Sequence, residues 1–172
     1  MRLLNPIRDI RTIKTLLTRA EAEAHDAGDT VPGAEHLLLS ALALPDGTAR
    51  RAFERVGADP DGFRPAIAVQ HAQALLTIGI EPVDDDVLEV PAGVATLPAT
   101  GVFRATASAQ AAFRAAVDLA KAEKGSPLFG AHVVAAVARM EHGTSARALR
   151  TMGVDRHALA IAARQELAAP RT

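Results

Sequence analysis

The chain has 172 residues and 17.9 kDa, and its 49% hydrophobic and 23% charged residues describe one ordinary globular domain with a real core, not a disordered tail. Its 19 Lys plus Arg offset 20 Asp plus Glu for a formal charge of −1, so no global field draws in nucleic acid or an anionic membrane. Cysteine is absent, which excludes disulfide staples and Cys-based zinc sites, and with no Trp, no Tyr and 5 Phe the core must be aliphatic and alanine-rich.

The opening Met1-Arg2-Leu3-Leu4-Asn5-Pro6 meets proline before any apolar run forms, and no stretch approaches membrane-spanning length, so a soluble cytoplasmic protein is expected. From Ile7 to Ala27 the apolar positions Ile10, Ile13, Leu17, Ala20, Ala24 and Ala27 step by three and four, the period of one helical face, and Gly28 supplies a stop. Pro32-Gly33 begins a second helix over about 34–44, with Gly33 as N-cap, Glu35 in the first turn where its charge suits the helix dipole, and Leu37, Leu38, Ala41 and Leu44 as the buried stripe. Pro45-Asp46-Gly47 is a turn, and Thr48 is expected to cap a third helix carrying Ala52, Phe53 and Val56 that closes at Gly57. Asp59-Pro60 then reads as N-cap and first-turn proline of a fourth helix running to about Ile78.

Ile80 to Thr106 differs from what flanks it. It carries Pro82, Pro91 and Pro98, the acidic triplet Asp84-Asp85-Asp86, and apolar residues from Val87 to Phe103. Helix is not expected across those prolines. So apolar a linker should lie against the helices, with an extended pair or a partner contact as the alternatives.

A second set of four helices follows: about Ser108 to Lys124, one after Gly130, one from Thr144 and one from Asp155. The chain is one unit written twice. Gly33-Ala34-Glu35-His36-Leu37-Leu38-Leu39 is answered by Gly130-Ala131-His132-Val133-Val134-Ala135-Ala136, and the turn at Gly47-Thr48 by Gly143-Thr144. Gly130 follows Gly33 by 97 positions and Gly153 follows Gly57 by 96, so a one-residue length change is expected in the Gly-Thr turn. Each unit is too small to bury its own apolar faces, and stacking the two completes a shared core.

This duplicated pattern resembles the Clp N-terminal domain, the double helical repeat that precedes the ATPase modules of Clp unfoldases and usually carries Gly-Thr-Glu-His followed by aliphatics. The resemblance spans about 8–168 and implies an all-α fold of about eight helices in two pseudo-two-fold-related four-helix repeats, about 8–78 and 107–168, joined by a long irregular linker at about 79–106. In the first repeat Ala34 stands for the usual Thr, and in the second His132 stands where Glu is usual. The resemblance further implies a binding module for substrates, adaptors or cyclic-peptide antibiotics, in which Gly33, Ala34, Glu35 and His36 mark a phosphoarginine or peptide site. Against this, Glu35 also reads as a simple first-turn acid and His36 as a partly buried helix-start residue.

Catalysis is not expected. The nearest approach to a P-loop, Gly125-Ser126-Pro127-Leu128-Phe129-Gly130, is followed by Ala131-His132 where Lys and Ser or Thr must stand, so the chain reads as an N-domain without its motor. Ser126 lacks a Gly-x-Ser-x-Gly elbow. None of the 6 histidines forms an i, i+4 pair with another, so neither metal nor cofactor is expected. Arg50, Arg51, Glu54 and Arg55, with Arg147 and Arg150, read as solvated surface, or else as cationic patches for acidic partners. The function expected is non-catalytic protein binding in Clp-dependent quality control, with protein or peptide ligands and Clp unfoldase or protease subunits as partners. A decoy that sequesters peptides or antibiotics, and a self-associating module forming a homodimer, are the alternatives.

Overall fold

The computed structural model describes residues 6–77, 104–123 and 126–169. Eight α-helices and no strand occur among them: α1 (Pro6–Asp26), α2 (Ala34–Leu42), α3 (Thr48–Arg55), α4 (Phe63–Thr77), α5 (Ala107–Ala122), α6 (Gly130–Ala138), α7 (Thr144–Thr151) and α8 (Arg156–Ala168). The expected linker at about 79–106 lies outside the described residues except at its last three positions. None of the described helices is long and apolar enough to cross a membrane.

α2 and α6 are apolar nearly all round, the mark of a helix surrounded by protein. Every residue of α6 is buried, as is every residue of α2 except Glu35. The two pack on each other at the centre, α1 lies on α2, and α5 lies on α6. The amphipathic outer helices then cross over between repeats: α3 packs on α8, and α7 on α4. Buried Ala109, Ala112, Ala116 and Ala120 give α5 a smooth face for close approach to α6. Phe53 and Phe63 meet edge to face with centroids 6.3 Å apart, tying α3 to α4.

The two halves keep one spacing throughout. α2 and α6, α3 and α7, and the caps Asp59 and Asp155 are all 96 positions apart. The expected length change in the Gly-Thr turn is therefore absent, because α6 begins on Gly130 with Phe129 as its N-cap and not after Gly130. Gly33 pairs with Phe129, Glu35 with Ala131, and His36 with His132. The third helices end alike, with Gly57 and Gly153 left-handed at φ 71° and 70° and the following amides, Ala58 and Val154, returning to Phe53 and Leu149.

Three local expectations change. Thr48 is the first residue of α3 and not its cap, which is Gly47. Asp59 caps a 3-10 turn, Pro60–Gly62, that leads into α4. In α1 the buried line is Leu16, Ala20, Glu23 and Ala24, whereas Ile10 is 65% exposed and Leu17 only packs against the edge of the core. Burying that line lets the Glu23 carboxylate take Arg64 of α4 at 2.6 Å.

Candidate functional site

The four residues Gly33, Ala34, Glu35 and His36 stand together at the start of α2. A helix leaves its first amides without intrahelical partners, and this one answers with a side chain from inside the helix. His36 is 1% exposed, and its Nδ1 accepts the Gly33 N–H at 3.0 Å. That bond fixes the tautomer of the neutral ring with the proton on Nε2. Nε2 points at the Asp29 carboxylate 3.5 Å away, a long contact. Asp29 was not among the residues singled out from the sequence. Its only signal there is an acid directly after the Gly28 helix stop.

The Glu35 carboxylate folds back over Gly33 and occupies the space that a Cβ there would need. Its side chain is 13% exposed, and Oε1 stands 3.7 Å from His36 Nδ1. Neither Asp29 nor Glu35 has a Lys or Arg partner among the described residues. The amides of Ala34 and Glu35 also find no acceptor there.

Asp29, Glu35 and His36 place ligand-type atoms within 4.8 Å of one another, a cluster that the spacing of the histidines did not suggest. The histidine decides whether a metal fits it. Its Nδ1 lone pair is held by a backbone N–H and its Nε2 carries the proton, whereas a metal-bound histidine needs a free lone pair on one nitrogen and a donated proton on the other. The donor set does not fit a metal.

The second repeat uses the same histidine. His132, 0% exposed, accepts the Phe129 N–H on Nδ1 at 3.0 Å, faces Glu123 through Nε2 at 3.3 Å, and stacks on the Phe129 ring. His132 therefore does not replace a glutamate; it is the counterpart of His36, and the counterpart of Glu35 is Ala131. What the two helix starts share is the capping histidine and not the glycine, so Gly33 and Gly130 are not counterparts.

The two helix starts differ in what covers them. At α6 the Gly130 N–H donates to Asp46 Oδ2 at 3.2 Å and the Ala131 N–H to Thr48 Oγ1 at 2.8 Å, both from the opposite repeat. Backbone and side chain of Ala41 and Ala49 come so close that a Cβ on Gly130 would stand 2.9 Å from Ala41 O and from Ala49 Cβ. The start of α6 is thus a joint between repeats, whereas among the described residues no side chain of the other repeat bonds the first amides of α2, and Glu35 is the one partly exposed residue there.

Residues 11–81 match the family model of the Clp repeat (R) N-terminal domain. That match covers the first helical repeat. The fold of the chain is similar to that of the crystal structure of the N-terminal domain of the caseinolytic protease associated chaperone ClpD from Arabidopsis thaliana, with a TM-score of 0.55 at 20% identity over 94% of this chain and 93% of that one. No curated protein matches by sequence. The surface arginines are partly committed: Arg51 and Arg55 of α3 both pair with Glu166 of α8, and Arg50 pairs with Asp61 at 2.8 Å. Arg51 and Arg55 are exposed, as their sequence suggested, but they are ion-paired and not free.

Proposed function

We propose that this chain is a non-catalytic protein-binding module of Clp-dependent quality control, and that it takes its ligand at the start of α2. The observation that carries this reading is the helix start at Glu35: among the described residues its amide has no acceptor, and the carboxylates of Glu35 and Asp29 beside it have no Lys or Arg partner. Such a place suits a group bearing both signs of charge. A guanidinium pairs with the carboxylates, and a phosphoryl group attached to it meets the helix-start amide. Phosphoarginine on a marked substrate has that chemistry, and the resemblance to Clp N-domains points the same way. His36 holds the backbone of the site in place through Gly33.

The site is single. At α6 the equivalent amides are spent on Asp46 and Thr48, and Ala131 supplies no carboxylate. Titration calorimetry with phosphoarginine tests the reading on the parent, Glu35→Ala and Ala131→Glu. One site per chain is expected in the parent and none in Glu35→Ala. Ala131 is 0% exposed, so Ala131→Glu is expected to lose stability without adding a site. Two equal sites in the parent, or binding indifferent to Glu35, defeats the reading.

A further inference from the structure

The two crossed seams, α3 on α8 and α7 on α4, are copies of each other with one charge missing. In the first, Glu166 is 5% exposed and takes Arg51 Nε at 2.8 Å together with Arg55 Nε. At the constant spacing of 96, the counterparts of Arg51, Arg55 and Glu166 are Arg147, Thr151 and Gln70. The contact survives in neutral form, because Gln70 Nε2 donates to Thr151 Oγ1 at 2.7 Å. Arg147 keeps the arginine and loses its carboxylate. Its Nη2 reaches only Thr144 Oγ1 at 3.4 Å, and neither Arg147 nor Arg150 has an acidic partner among the described residues.

Arg147, Arg150 and Thr151 lie at i, i+3 and i+4 and share one face of α7, the face that meets Gln70. Gln70 bonds Gln73 at 3.3 Å, and Gln73 sits between Val69 and Leu76, which are 41% and 56% exposed, on one stripe of α4. Two uncompensated guanidiniums thus flank two exposed aliphatic side chains across a seam of amides. We propose that this seam docks an acidic amphipathic segment of a partner protein, its carboxylates on Arg147 and Arg150 and its apolar side chains on Val69 and Leu76. The charge complementarity is the one that the other seam fulfils internally with Glu166. The inference rests on the binding-module reading but not on the Glu35 site, which lies on another helix.

Fluorescence anisotropy at low salt tests it with a labelled synthetic helical peptide bearing leucines on one face and glutamates beside them, against a copy with lysine for glutamate. The parent is expected to bind the acidic peptide and not the basic one. Gln70→Glu gives Arg147 the carboxylate that Arg51 has, so it should weaken binding about tenfold while keeping the fold. Arg147→Glu with Arg150→Glu should weaken it at least as much. Glu35→Ala should leave peptide binding unchanged; a parent that binds the acidic peptide but not phosphoarginine sinks the Glu35 site alone, and one that binds phosphoarginine but not the peptide sinks the seam alone. Equal binding of both peptides, no binding by the parent, or indifference to Gln70→Glu overturns the proposal. Binding that appears only after Asp84, Asp85 and Asp86 are changed to Asn also overturns it, giving the seam to the chain's own acidic segment.

Discussion

Replacing Gly130 by Ala puts one methyl group into the joint between the repeats. The new Cβ would stand 2.9 Å from Ala41 O, 2.9 Å from Ala49 Cβ and 3.3 Å from Ala49 N, all firmly held atoms of buried helices, so α6 must shift to admit it. Overpacking of this kind costs about 1–3 kcal/mol. The shift also lengthens the Gly130–Asp46 and Ala131–Thr48 bonds, each worth about 0.5–1.5 kcal/mol. Against this, Ala is the better helix former by up to about 1 kcal/mol, and less than that in a first turn. The balance is a loss of about 2 kcal/mol, or roughly 4–8 °C in Tm for a chain of this size. Urea unfolding followed by circular dichroism measures it, with Ala34→Gly at the counterpart position as a reference. A Gly130→Ala protein as stable as the parent, or more so, would refute the close approach.

Glu166→Gln should cost on the order of 1 kcal/mol, because both guanidiniums it leaves are about half exposed and are rescued by water. Burial pushes the Glu166 carboxyl up, but the hydrogen bonds and charges of Arg51 and Arg55 outweigh it and hold the group below the ordinary glutamate range. The stability it contributes is therefore complete above about pH 4.3 and is lost as pH falls through the lower folded value, an acid slope that urea titrations should find flattened in Glu166→Gln. His36→Ala and His132→Ala each strand a buried helix-start N–H and leave a hole, so each should lose about 2–4 kcal/mol in thermal unfolding. Calorimetry with ATP should give no saturable heat, since no Lys follows the glycine at 130 to hold phosphates.

Most of the fold was legible because it is written in local signals. Three- and four-residue apolar steps gave the helices, Gly28 and Gly57 gave their stops, and Asp155 gave a cap that accepts from His157 and Ala158 as its chemistry requires. What failed was non-local. Thr48 looked like a cap for its own helix, but its hydroxyl accepts from the Ala131 N–H, and nothing in a local window reveals a donor 83 positions away. Arg51 and Arg55 are exposed as expected, but their ion pair was hidden for the same reason, the partner Glu166 lying on the last helix. Of the face its period marked on α1, Ala20 and Ala24 are buried as expected, but Ile10 is exposed and Leu16, not Leu17, enters the core. At the site, Glu35 and His36 stood out in the sequence, while Asp29 did not, because an acid after a helix stop is common and only the fold brings it beneath the imidazole.

The crossing of outer helices between repeats bears on how the chain could be divided. A cut between residues 78 and 103 yields two fragments, each owning half of every seam, so neither can close a core alone and both should stay largely unfolded until mixed. Mixed, they have a reason to choose each other: the first fragment offers Arg51 and Arg55 and the second answers with Glu166, whereas two copies of the first would set those arginines against Gln70. Fragment complementation would then report on the seams directly, and its midpoint concentration would measure what joining the two halves in one chain contributes.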